Sequence, residues 1–173
     1  MDIRHAKEAD LSAIVNIYNQ SIPSRRATAD TQPVTVESKL DWYRDRSKNR
    51  PLLVATDREE ILGWLSFQNF YGRPAYLNTA EISIYVATKY HRRGIASRLL
   101  EQAIALCPQL ELTTLLGFVF AHNQPSINLL TNHGFTQWGH LPNVAVLDGK
   151  QHSLLILGLK IDQKLLAENE LMF

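Results

Sequence analysis

Cysteine is nearly missing from these 173 residues, with Cys107 standing alone. An internal disulfide and a cysteine-built zinc site are therefore excluded. Long apolar runs are missing too. The longest, Leu115 to Ala121 and Leu154 to Leu159, fall far short of the roughly 20 residues that span a bilayer. Excess charge of one sign is absent, since 18 basic residues face 17 acidic ones for a formal charge of +1. That balance argues against a surface built to coat nucleic acid or an anionic membrane. None of the six histidines has a partner at i+4 and no HExxH occurs, so no metal is expected. The chain also lacks GxGxxG, the P-loop pattern, and GxSxG around Ser97 or Ser126, which sets aside dinucleotide, P-loop and serine-hydrolase chemistry. The charged start, Met1 to Glu8, does not read as a signal peptide. A cytoplasmic protein is expected, and any electrostatic function must sit in a local cluster.

What is present is an ordinary globular composition, 45% apolar and 20% charged, in one domain covering 1–173. A chain of this length can bury roughly 70% of its unfolded surface without a staple. Leu11, Ile14, Val15 and Tyr18 form one helical stripe. A long polar stretch, Asn19 to Pro33, follows, and then a helix opened by Thr35 as N-cap. Leu52–Ala55 and Ile61–Phe67 read as strands. Thr79–Val86 is the sharpest strand, with Glu81, Ser83 and Tyr85 alternating against Ile82, Ile84 and Val86. A helix starts near Gly94 and stops at Pro108. A strand over Leu115–Phe120, a helix over Pro125–Asn132, and strands over Phe135–Leu141 and His152–Leu159 complete the order. The tail from 160 to 173 is weakly helical. The implied class is α/β of the α+β kind, a mixed sheet with helices packed on it.

The junction His91-Arg92-Arg93-Gly94-Ile95-Ala96-Ser97 joins the best strand to the best helix. Arg92 and Arg93 stand at the positive end of the helix dipole, where a cation costs about 0.3–1 kcal/mol. A docked anion would offset that cost and meet the unpaired N–H groups of the first turn. Two solvated arginines beside a turn glycine explain the pattern equally well. Glu81 is a carboxylate in mid-strand, where Glu is disfavoured. Its face reads either as a half-exposed sheet surface or as a cleft. Asn123 is a cap residue on its own evidence.

Taken together, the strand–Arg-Arg-Gly-Ile-Ala–helix unit and the segment Asn123 to Phe135 resemble the GNAT superfamily of acetyl-CoA-dependent N-acetyltransferases. Phe70-x-x-Arg73-x-Ala75-Tyr76-x-x-Thr79-x-Glu81-x-x-x-Tyr85-Val86 is similar to the phosphinothricin and methionine sulfoximine acetyltransferase group, as are Ile3-Arg4-x-Ala6-x-x-x-Asp10 and Ile17-Tyr18-Asn19. The resemblance covers about residues 3–159. It implies about seven strands splayed in the middle, with helices on both faces and acetyl-CoA in the splay. The pyrophosphate would rest on the backbone from Arg92 through Gly94, Ile95 and Ala96 to Ser97, with His91 beside it. The pantetheine would pair with Val86 and with the backbone near Thr88, and Asn123 and Ser126 would touch the cofactor. Glu81 matches the general-base position, acting on an amine that is mostly protonated at neutral pH. The N–H of Val86 is the simplest oxyanion donor.

Leu130 occupies the position where many relatives carry a tyrosine acid, and that role is unassigned. Phe70, Arg73, Tyr76, Thr79 and Tyr85 are the candidates for holding the acceptor, with the Arg73 fork suited to a carboxylate. The resemblance implies a small amine acceptor, an amino acid or analogue, and a homodimer, without nucleic-acid or membrane partners. A protein N-terminus, a polyamine or an aminoglycoside remain alternative acceptors, and a non-catalytic CoA-binding module an alternative role.

Overall fold

The computed structural model describes residues 1–162; the rest of the tail read as weakly helical lies outside the described residues. Seven strands form one sheet: β1 (Asp2–His5), β2 (Leu52–Asp57), β3 (Glu60–Asn69), β4 (Thr79–Val86), β5 (Thr114–Phe120), β6 (Thr136–Leu147) and β7 (Lys150–Lys160). Their order across the sheet is β1-β2-β3-β4-β5-β7-β6. Four α-helices pack on it: α1 (Leu11–Ser21), α2 (Val36–Arg44), α3 (Ile95–Leu106) and α4 (Gln124–Asn132). The mixed sheet and its helices match the expected class.

Two apolar layers hold the sheet. On one face Leu99, Leu100, Ala103 and Leu130 from α3 and α4 meet Leu53, Leu65, Ala80 and Leu115. On the other, Ile14 and Ile17 of α1 meet Leu52, Val54 and Trp64. β3 is covered on both sides, so seven consecutive residues from Ile61 to Phe67 are buried, the unbroken apolar pattern expected of such a strand. Each fully buried Leu, Ile or Phe contributes about 1.5–3 kcal/mol.

Local chemistry sets the element ends. The Thr35 hydroxyl accepts from the Ser38 N–H at 3.2 Å, and Asn123 Oδ1 accepts from the Ser126 N–H at 3.3 Å. Asp148 and Gly149 both take positive φ, which suits the tight turn of the β6–β7 hairpin. That hairpin runs longer than the sequence suggests, because Pro142 sits on the outermost strand, where a missing N–H costs no ladder bond. β1 is the element the sequence reading lacks. It has four residues and no clear alternation, and it forms by pairing with β2 from Asp2↔Thr56 to His5↔Leu53.

The feature that positions the site lies between the two central strands. β4 and β5 run parallel and pair only over Thr79↔Thr114, Ala80↔Leu115 and Glu81↔Leu116. Beyond Glu81 they diverge, while β4 keeps its antiparallel partner β3 out to Gly63↔Val86. Gly63 makes that last pairing possible, since a Cβ there would lie 2.8 Å from the Tyr85 carbonyl oxygen. Gly63→Ala is expected to destabilise the fold by about 1–3 kcal/mol, read as a lower urea midpoint.

Candidate active site

Antiparallel pairing alternates bonded and non-bonded residues. The Ala87 N–H donates to Leu62 O at 2.9 Å, so in this register Tyr85 and Ser83 also bond to β3. The peptide groups of Ile82, Ile84 and Val86 therefore point the other way: the Ile82 N–H is taken up by Leu116 in the last parallel pair, and those of Ile84 and Val86 face the gap left by β5. The Val86 carbonyl accepts from His91 Nε2 at 2.9 Å, and its N–H faces the opening. The next amide is engaged, since the Thr88 N–H donates to Gln20 Oε1 at 2.9 Å.

One turn further on, Arg92 and Gly94 adopt positive φ of 61° and 75°. Gly94 is there for its conformation, because nothing in the chain lies within 4 Å of a Cβ placed on it. The first helical bond of α3 runs from the Arg98 N–H to Gly94 O, and no side chain caps the helix. Among the described residues, the N–H groups of 92 to 97 have no acceptor in the chain. The Arg93 guanidinium rests over the Tyr90 ring at 5.2 Å. Such a row of open amides at a helix start, with cations beside it, fits a diphosphate. The Ser97 hydroxyl is already committed, lying 2.9 Å from His133 Nε2.

Glu81, Ser83 and Tyr85 share the face of β4 turned toward α1 and α2. The Glu81 carboxylate is half-buried, and among the described residues no hydrogen bond or ion pair engages it. Burial pushes its pKa above the usual carboxylate range. Tyr85 stacks at 4.7 Å on its cross-strand neighbour Trp64 and donates to Ala27 O at 3.1 Å. Tyr18 meets Tyr85 edge-on at 5.0 Å and hydrogen-bonds to Thr28 and Asp30. Burial, helped by Asp30, pushes its phenol up to about 12. These rings wall a cavity of about 140 Å³ between α1, α2, β3 and β4, which Lys39, Trp42, Gln68 and Ser83 also line.

The remaining sequence candidates fall into separate groups. Phe70 contacts Tyr71, Tyr76 and Phe118, at 4.6, 5.4 and 6.4 Å, in the loop before β4. Arg73 lies in that loop with its side chain unpaired among the described residues, and the Thr79 carbonyl accepts from buried Arg50. Asn123 caps α4 and also donates to Arg26 O at 3.1 Å, while Ser126 presents its half-buried side chain one turn in. Leu130 is buried, with Cδ1 2.8 Å from where a Gly117 Cβ would stand, so no hydroxyl fills that position. Sequence reasoning missed Gln20 and Lys39. Lys39 and Trp42 stand at i and i+3 of α2, which is the signal that could have joined them.

A mixed sheet whose parallel central strands part beside a helix start of open amides is the arrangement of the acyl-CoA N-acyltransferases. Residues 11–135 match the Acetyltransferase (GNAT) family. The chain is 46% identical over 159 residues to YwnH of Bacillus subtilis (strain 168), a phosphinothricin acetyltransferase-like protein, covering 91% of this chain and 98% of that one. It is 28% identical to the L-methionine sulfoximine/L-methionine sulfone acetyltransferase of Salmonella typhimurium, covering 94% and 96%. The structure of yncA from Salmonella typhimurium with its cofactor acetyl-CoA superposes with a TM-score of 0.87 at 28% identity, covering 94% of each chain. This protein belongs to the GNAT family and is an acetyl-CoA-dependent N-acetyltransferase.

The raised Glu81 pKa has a consequence for stability. Above that pKa the charged carboxylate is disfavoured in the fold, so stability falls as pH rises through the window between the unfolded and folded values. Glu81→Gln removes the penalty. Its Tm is expected to exceed wild type by on the order of 1–3 °C near pH 7, with the difference closing by about pH 4. Scanning calorimetry across that range checks it.

Proposed function

We propose that this enzyme acetylates the α-amine of a small amino acid or amino-acid analogue, of the phosphinothricin or methionine sulfoximine kind, with Glu81 as general base. The observation that carries the reading is the Glu81 carboxylate, half-buried and unpartnered, at the residue where β4 and β5 part. A base there needs a free lone pair and a pKa lifted toward neutrality. Substrate names among the relatives support the acceptor class. The unpaired Arg73 and the cations Lys39 and Arg46 favour an acceptor bearing negative charge over a polyamine or aminoglycoside.

The residues divide the work. The N–H groups of 92 to 97, with Arg92 and Arg93, bind the diphosphate and offset the charge that the arginines place at the helix start. The backbone of Ile84 and Val86 receives the extended arm as a neighbouring strand would. Bound acetyl-CoA supplies the acetyl group as a thioester, with a thiol leaving group whose pKa of about 8.5 allows departure as thiolate. Glu81 takes a proton from the acceptor's ammonium, directly or through one water, leaving a lone pair on nitrogen to attack. The Val86 N–H donates to the carbonyl oxygen as negative charge builds on it. No side-chain acid is assigned to the leaving thiolate, since Leu130 offers no proton.

Glu81→Gln is expected to lower turnover about 10²- to 10⁴-fold at neutral pH while retaining acetyl-CoA affinity. Thiol release with phosphinothricin and methionine sulfone, followed across the pH range, checks it; wild-type turnover at every pH rejects the base. Reversing Arg92 and Arg93 to Glu is expected to weaken acetyl-CoA binding by at least about tenfold, on the scale of two charge-assisted contacts, read by calorimetry.

A further inference from the structure

The cavity beside Glu81 holds a cation with no counter-ion. Lys39 Nζ lies over the rings of Tyr18 and Trp42, at 5.6 and 6.0 Å. Among the described residues no carboxylate pairs with it. Lys89 offers a contrast: it rests on the Tyr90 ring at 4.9 Å and also reaches Glu60 at 2.5 Å. Lys39 is half-buried, so solvent only partly replaces the missing partner. Two further cations stand behind the same wall. Arg46 stacks on Trp42 at 4.9 Å and donates to the carbonyls of Arg50, Pro51 and Phe67. Arg50 donates to the carbonyls of Asn49, Leu77 and Thr79. Neither meets a carboxylate. Glu37 and Asp41 flank Lys39 on its own helix, Asp30 accepts from the Tyr18 hydroxyl, and Glu81 lies further along β4; among the described residues none of them forms an ion pair with Lys39. Among the described residues, no ion pair engages Lys39, Arg46 or Arg50.

The rest of the lining is set to receive a side chain. Trp64 donates Nε1–H to Ile14 O at 3.1 Å, and the hydroxyls of Tyr85 and Tyr18 are committed to Ala27, Thr28 and Asp30. These rings are fixed from behind and turn apolar faces inward. The Ser83 hydroxyl has no partner among the described residues, and Ser83 lies two residues from Glu81 on the same face, about 6.6 Å along the strand. Gln68 pairs with Glu81 across strands. A volume of about 140 Å³ takes roughly four or five non-hydrogen atoms, at about 30 Å³ for each water-sized group.

We infer that this cavity receives the side chain of the acceptor, and that Lys39 makes it selective for a side chain ending in an anionic group, a phosphinate or carboxylate. The inference rests on the N-acetyltransferase reading above and deepens it. With the acceptor's amine at Glu81 and its α-carboxylate toward Arg73, the side chain passes Ser83 and ends at Lys39 between aromatic walls. The ammonium then exchanges two ring faces for a charge-assisted hydrogen bond in a partly dry site.

The test compares phosphinothricin, whose side chain is anionic, with L-methionine sulfone, of similar length but neutral. Wild type should favour phosphinothricin in kcat/KM. Lys39→Met should lower the phosphinothricin-to-sulfone ratio of kcat/KM about 10- to 100-fold, chiefly through KM, and Lys39→Arg should restore most of it. Without acetyl-CoA, phosphinothricin should change the fluorescence of Trp42 and Trp64, with an affinity that falls in Lys39→Met and in a parallel Lys39→Gln variant. A ratio unchanged by Lys39→Met, or both acceptors weakened alike, overturns the inference. If wild type acetylates neither compound yet phosphinothricin binding still depends on Lys39, the acceptor reading fails and the anion pocket stands.

Discussion

Three residue pairs of parallel β-structure hold the two halves of the sheet together, and everything functional depends on their being only three. Pairing between β4 and β5 ends at Glu81↔Leu116, while β5 stays bonded to β7 from Thr114↔Lys160 to Phe120↔Leu154. The chain thus spends the outer edge of β5 on a full ladder and leaves its inner edge to part from β4. Further pairs would satisfy the peptide groups of Ile84 and Val86 and close the opening between the strands. Unpaired backbone in a protein interior costs free energy unless something satisfies it. The open edge of β4 is therefore a place where an extended partner could pair.

The same logic runs through the side chains. Local rules are broken in a few places: arginines at the positive end of α3, a carboxylate in mid-strand, and a half-buried lysine without an acid. Each is a small loss for the isolated fold. Such inconsistencies mark sites where a partner completes the structure. A net charge near zero coexists with two positive regions, one at the start of α3 and one behind Trp42. Acidic residues elsewhere balance the total without quenching either.

Much of this was legible in the sequence because it is local. Alternation along β4, the apolar ridges of α3, and the caps at Thr35 and Asn123 are short-range patterns, and they reappear in the fold. β1 was not legible, since a four-residue edge strand draws its definition from β2 and not from its own residues. Glu81 stood out because Glu is rare in mid-strand, whereas Lys39 is ordinary on a helix surface. Only the fold shows that Lys39 faces aromatic rings and not water. The cavity that Trp42 and Trp64 share appears once α2 packs on the sheet. Arg46 and Arg50 belong to a charged stretch in the chain, yet bury their guanidinium groups among carbonyls from three segments.

The stretch from Ser24 to Pro33 ties these parts together. Tyr85 of β4 holds the carbonyl of Ala27, His122 beyond β5 holds that of Arg25, and Asn123 at the start of α4 holds that of Arg26. Arg25 itself pairs with Asp148 in the β6–β7 turn at 2.8 Å. The segment acts as a lintel over the mouth of the splay, bearing on both diverging strands and on the far hairpin. The parting of β4 from β5 is thereby braced by backbone carbonyls from a distant part of the chain. A change in the outer β6–β7 turn at Asp148 would reach that brace through Arg25.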